Sequence, residues 1–159
     1  MDLLPLLTGH AEEMAQALSD PALHTFIGGT PDTSQQLRAR YRRLETGSPD
    51  PAVSWCNWVV GLREEACLVG TVQATVHRSA DGLEAELAWV VGTPWQGRGI
   101  AREAALGTVA WLARQSVHTL VAHIHPDHRA SASVAAACGL APTDRWDGGE
   151  VRWQGNIRT

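Results

Sequence analysis

Residues 96–102, Gln-Gly-Arg-Gly-Ile-Ala-Arg, combine a Gly-x-Gly spacing with two arginines and run into a helix-like stretch. Backbone N–H groups in the first turn of a helix have no internal partner, and the helix dipole places roughly half a positive charge there. Gly97 and Gly99 let that backbone approach an anion closely, and Arg98 and Arg102 add mobile positive charge beside it. The chemistry this suits is the binding of a diphosphate; the same Gly-x-Gly spacing also serves an ordinary tight turn. Two familiar phosphate sites are excluded. A Walker loop needs Gly-Lys-Ser/Thr, and all thirteen basic residues here are arginine, which removes Schiff-base and lysine-nucleophile chemistry as well. A dinucleotide fingerprint needs a third glycine near Arg102 and an acidic residue roughly 20 positions further on at a strand end, and neither is present.

Other residues able to do chemistry are scattered. Glu84 and Glu86 alternate along one predicted strand and Glu150 opens another, so each suits proton removal and equally suits a solvated strand position. In His-Ile-His-Pro-Asp-His, His123 and His125 share a strand face at metal-ligand spacing. No second cluster with zinc spacing accompanies them, so they read as hydrogen-bonded or ligand-contacting histidines, with no metal expected. The three cysteines, Cys56, Cys67 and Cys138, are odd in number, widely spaced and set among apolar neighbours, which fits buried thiols rather than disulfides.

The elements that position these residues follow from pattern. Thr8 ahead of acidic residues predicts a helix to about Leu18, and Thr33 caps a second helix stopped by Gly47. Residues 53–62 and 66–77 are rich in β-branched and aromatic residues around a polar turn and read as a hairpin, with a third strand over residues 83–91. An alanine-rich helix is predicted from about Gly99 to Gln115, then a strand over 118–125, a helix ending at Gly139, and a last strand over 148–155. The order ααβββαβαβ is mixed α/β, and the strand–helix–strand crossovers of the second half imply locally parallel pairing.

Composition sets the outer limits. At 159 residues, with 44% apolar and 19% charged, the chain is long enough for one domain spanning residues 1–159 with its own core. A net charge of −4 argues against a nucleic-acid partner. No apolar run approaches the roughly 20 residues a bilayer span needs, and the first residues lack a secretory pattern, so a cytoplasmic protein without membrane partners is expected.

Gln96-x-x-Gly99-x-Ala101, after an antiparallel strand ending in Trp89-Val90-Val91, resembles the acetyl-CoA-binding motif of the GNAT superfamily of N-acetyltransferases. Residues 125–143, HPDHRASASVAAACGLAPT, are similar to the ribosomal-protein N-terminal acetyltransferase branch, where Asn-x-x-Ser precedes a helix ending in Gly-Phe. Ser131 falls on that serine and Gly139-Leu140 on the Gly-Phe; LVGTVQA and GGEVRWQ resemble a central and a late strand of the branch. The likeness covers about residues 54–155.

The resemblance implies the GNAT fold, a central mixed, mostly antiparallel, splayed sheet flanked by helices. It implies transfer of the acetyl group of acetyl-CoA, without a metal, to a primary amine by direct attack, the acceptor being a protein N-terminus or a small-molecule amine. The cofactor contacts it implies are the backbone of Trp89, Val90 and Val91 along pantetheine, with the N–H of Val90 or Val91 facing the carbonyl. Gln96, Gly97, Arg98, Gly99, Ile100, Ala101 and Arg102 are expected around the diphosphate, and His128 stands where the family has asparagine. Ser131 is the implied proton donor to the leaving thiolate, and Glu86 or Glu150 the base. Ala135 occupies the place where many relatives carry a tyrosine donor, and with His128 it supports an alternative, a non-catalytic acyl-CoA-binding or regulatory module. The acceptor is expected against the two N-terminal helices, the loop at residues 47–51 and the last hairpin, and relatives suggest a homodimer.

Overall fold

The computed structural model describes residues 1–157. Among them there are four α-helices: α1 (Ala11–Ala17), α2 (Ser34–Thr46), α3 (Ile100–Arg114) and α4 (Arg129–Ala137). The Thr33 side chain accepts from the Gln36 N–H while the Gln36 side chain returns to the Thr33 N–H, a reciprocal capping box that starts α2. Gly47, at φ +97°, ends it. Thr8 does not cap α1. A 3-10 turn over Thr8–His10 comes first, and both the amide and the hydroxyl of Thr8 donate to the Glu45 carboxylate on α2, so the residue ties the two helices together.

Seven strands, β1 (Asp2–Pro5), β2 (Val53–Leu62), β3 (Cys67–Ser79), β4 (Gly82–Val91), β5 (Val117–Ile124), β6 (Ala141–Asp147) and β7 (Glu150–Asn156), form one sheet in the order β1-β2-β3-β4-β5-β7-β6. All neighbours are antiparallel except β4 and β5. The crossover through α3 gives a parallel pair, as the sequence implied; the one through α4 does not, because β6 runs in the same direction as β5 but β7 lies between them. After α4 the chain forms β6 and hairpins into β7, which runs antiparallel to β5. The sequence pattern missed β6 because Ala-Pro-Thr-Asp-Arg-Trp-Asp is an exposed edge strand with no buried alternation. It missed β1 because four residues at the other edge are too few to show a period.

Helices lie against both faces of the sheet. Val59 and Val60 are adjacent on β2 and both fully buried, because successive strand residues point to opposite sides. Val59 packs with Met14, Leu37 and Tyr41 beneath α1 and α2. Val60 packs with Val72, Val91, Ile100 and Ala104 beneath α3. A further cluster of Leu87, Leu112, Leu120, Ala122 and Ala135 joins α3 and α4 to the same side.

What positions the site is a parting of strands. β4 and β5 pair only from Leu83↔Val117 to Glu86↔Val121. Beyond that, β4 continues to Val91 on β3 alone and β5 continues to Ile124 on β7 alone, so a gap opens between them. Gly70 lets β3 stay against the end of β4, because any Cβ there would collide with the Val90 carbonyl. Among the described residues no helix is long and apolar enough to cross a membrane.

Candidate active site

A cleft of about 660 Å³ runs from this gap along the start of α3. Its walls are the end of β4, the loop into α3, the first turns of α4, and the connection between α1 and α2.

The floor is main chain. The Gly92 N–H donates to the Val69 carbonyl at 2.8 Å. In an antiparallel ladder such pairs alternate, so the polar groups of Val90 and Ala88 turn toward β3 while those of Trp89 and Val91 face the gap. Of the two amides expected to meet a carbonyl, that of Val91 faces the gap and that of Val90 faces β3. The Val91 carbonyl itself accepts from Gln96 Nε2 at 3.0 Å, so Gln96 fastens the loop to the strand end.

The loop then takes the shape its glycines permit. Gly97 and Gly99 sit at φ +77° and +76°, in the left-handed region, with open space where a Cβ would be. No side chain caps α3, which leaves the first helical amides, Ile100 and Ala101 among them, turned out at the cleft.

The arginines are arranged differently from the sequence expectation. Arg98 leaves the cleft and pairs with Glu65 of the β2–β3 turn at 2.8 Å, where the Trp95 indole N–H also donates at 3.1 Å. The Arg98 guanidinium, then the Trp95 bond, hold the Glu65 carboxyl below the usual range. Arg102 is exposed and does not line the cleft, and its charge reaches Cys138 at the end of α4. The arginine that does border the cleft is Arg129, first residue of α4, which the sequence pattern did not single out.

Across the cleft, His128 and Ser131 stand together, with Ser131 Oγ 3.3 Å from His128 Nε2. Phe26, the only phenylalanine in the chain, stacks on His128 with centroids 4.6 Å apart and planes at 17°, and leans on His125 at 5.0 Å. Nothing around Phe26 in the sequence marks it, since it lies in a loop without period. Burial, and to a lesser extent the nearby His125, lower the pKa of His128, so the ring is neutral at pH 7. Ala135 is fully buried in the core under α4, so no proton donor reaches the cleft from that position.

A second surface lies on the sheet face that carries α1 and α2, where β4, β5 and β7 remain uncovered by them. Glu86 Oε1 is 2.7 Å from His123 Nδ1, joining β4 to β5 just where they part. Glu84 is bound by His77 Nε2 at 3.1 Å and Arg152 at 3.4 Å, and Arg152 also donates to Gln154. Glu150 begins β7 on the same face as Arg152 and Gln154. Neither Glu86 nor Glu150 lines the cleft. His125 Nδ1 accepts from the Asp127 N–H at 3.1 Å, so His123 and His125 have separate partners. No group of three potential metal ligands occurs among the described residues. Cys56 and Cys138 are partly buried, and burial raises both thiols, which keeps them protonated.

The family model for the acetyltransferase (GNAT) domain matches residues 2–141. No curated protein matches the sequence. Among solved structures, the chain is similar to a spermidine N-acetyltransferase from Vibrio cholerae in complex with CoA and spermine, at 16% identity, covering 98% of this chain and 94% of that one with a TM-score of 0.75. It is similar to the ribosomal-protein-S5-alanine acetyltransferase of Vibrio fischeri at 19% identity, 97% and 91% coverage and a TM-score of 0.73. The GNAT domain of S. lividans PAT matches at 22% identity, 98% and 89% coverage and a TM-score of 0.71. At these identities the likeness is one of fold.

Proposed function

Because the chain belongs to the GNAT acetyltransferase family and is an acetyl-CoA-dependent N-acetyltransferase, we propose that it acetylates the α-amine of a protein or peptide, as in the ribosomal-protein branch. The observation that carries this reading is the parting of β4 from β5 directly beside an uncapped helix start.

The residues present fit the coenzyme. The open positions over Gly97 and Gly99 and the free amides of Ile100 and Ala101 suit a diphosphate, with Arg129 on the opposite wall. The amides of Trp89 and Val91 suit an extended arm added beside β4. When bound, acetyl-CoA supplies the thioester that the amine attacks. The Val91 N–H then donates to the carbonyl oxygen as it gains charge. Ser131 donates its hydroxyl proton to the departing sulfur and is reprotonated by the second proton that the amine nitrogen releases, while neutral His128 at its side orients the hydroxyl. Glu86 and Glu150 are the carboxylates on the side from which an acceptor arrives.

A peptide is favoured over a polyamine because Glu84 and Glu86 are already matched by His77, Arg152 and His123, which leaves no run of free carboxylates along β4 for a polycation. The test measures thiol release from acetyl-CoA with an alanine-initiated peptide and with spermidine. Turnover of the peptide alone is expected, and turnover of spermidine alone reverses the acceptor assignment. Calorimetric binding of CoA with release from neither identifies a non-catalytic module. Ser131→Ala is expected to lower kcat about 100-fold while CoA affinity holds.

A further inference from the structure

We propose that His123 is the catalytic base that takes the proton from the incoming ammonium, and that Glu86 is a positioning residue that holds its ring. This rests on the amine acetylation above and names the base of that same site.

The argument begins with the 2.7 Å contact between Glu86 Oε1 and His123 Nδ1. An ionised carboxylate only accepts, so a hydrogen shared with it sits on Nδ1, and the neutral form of such a ring has its lone pair on Nε2. No hydrogen bond of the described residues uses Nε2, and no buried side-chain nitrogen among them lacks a partner, so Nε2 is open to solvent. The His123 side chain is otherwise well covered, at 17% exposure against 48% for Glu86. Glu86 spends Oε1 on the ring and keeps Oε2 free, but an imidazole nitrogen is intrinsically a stronger base than a carboxylate oxygen, so the acceptor of the pair suited to an ammonium proton is His123 Nε2.

Position agrees with this. Glu86↔Val121 is the last pairing of β4 with β5, and His123 follows two residues later on the same face, at the mouth of the gap. Each neighbouring charge on that face has its own partner or stands further along. From β4, Glu84 is bound by His77 of β3 and by Arg152 of β7. Arg152 stands opposite His123 in the register, with Glu150 two residues before it, and His125 lies further along β5 in contact with Phe26.

The protons balance. The nitrogen loses two protons as its C–N bond forms and the C–S bond breaks. The first passes to Nε2, making an imidazolium that Glu86 stabilises through Nδ1–H, and leaves from Nε2 to water. The second ends on the sulfur by way of Ser131.

The experiment has two arms. In the first, kcat/KM is followed against pH for the alanine-initiated peptide and for spermidine, in wild type, His123→Gln and Glu86→Gln. His123→Gln is expected to lose about 100-fold at neutral pH together with the acid limb of the profile, and to recover toward high pH as the amine deprotonates unaided. Glu86→Gln, which keeps the ring, is expected to lose about 10-fold and to move that limb to lower pH. CoA affinity by calorimetry is unchanged in both if the cleft is intact. In the second arm, nitrogen-15 NMR of the ligand-free protein reads the ring tautomer. Nδ1–H at His123 in wild type, lost in Glu86→Gln, is the expected result. An Nε2–H tautomer in wild type overturns the assignment whether or not either acceptor reacts, and so does a His123→Gln enzyme that keeps its acid limb and its rate within twofold. Absence of turnover by wild type with both acceptors counts against the acceptor reading, and the tautomer still decides the base.

Discussion

The cleft proposed for the cofactor and the face proposed for the acceptor share strands β4 and β5 and are built from different materials. The cleft is largely main chain: the amides of Trp89 and Val91, the left-handed loop through Gly97 and Gly99, and the uncapped start of α3. The acceptor face is side chains matched across strands, Glu86 with His123 and Glu84 with His77 and Arg152. A main-chain site needs a particular backbone path, which a short contiguous stretch can encode. A side-chain site needs register, which brings together residues 37 and 68 positions apart. The two regions should therefore answer to different kinds of substitution.

Gly99→Val tests the first kind and carries the largest expected effect. A β-branched residue at φ +76° costs about 1–3 kcal/mol, and no neighbouring atom would obstruct its Cβ, so the exposed loop leaves its present path while the core stays folded. CoA affinity measured by calorimetry is expected to fall about ten- to a hundredfold, with an unchanged far-ultraviolet dichroism spectrum. Affinity within twofold of wild type would show that the backbone path of this loop is not what holds the diphosphate.

Glu84→Gln tests the second kind. Its side chain is 13% exposed and bonded to Arg152, itself 18% exposed, so removing the charge leaves a largely covered guanidinium without its counter-ion. Stability in chemical denaturation is expected to fall by about 1–3 kcal/mol while CoA affinity stays within twofold, since no atom of the cleft changes. A parallel loss of CoA binding would mean that the acceptor face props the cleft open and that the two regions are one unit.

The same division decides what was legible in the sequence. The cap at Thr33, the hairpin of β2 and β3, the long α3 and the glycine loop all rest on neighbours in the chain, and each is found close to where the pattern put it. The direction of Arg98 was not legible, because it depends on Glu65, which the fold brings beside the loop from the preceding hairpin turn. The pairing of Glu86 with His123 was hidden for the same reason: both residues were visible as candidates, but only the β4–β5 register makes them partners. Phe26 and Arg129 were missed because nothing local marks a loop phenylalanine as a stacking partner or a helix-start arginine as a cleft wall. Thr8 shows the converse error: a good capping residue by type was drawn to a carboxylate on another helix.

Glu65→Gln probes the one place where a side chain intrudes on the main-chain region, and its expected effect is the smallest. Glu65 is exposed, and with its carboxyl held below the usual range it is ionised at pH 7, keeping Arg98 turned away from the cleft. A folded-state value below the unfolded one means the pair contributes fully above the unfolded value and is lost as pH falls through the folded one. Glutamine at this position can still accept from the Trp95 indole but no longer balances a guanidinium. Arg98, sitting between the two glycines of the loop, is then free to turn toward the diphosphate. CoA is expected to bind roughly threefold more tightly at low ionic strength, with the gain vanishing in high salt, as befits an exposed charge pair. Weaker binding would reverse the assignment: Glu65 and Arg98 would then be the tether that gives the loop its shape, and the cleft would depend on side-chain pairing just as the acceptor face does.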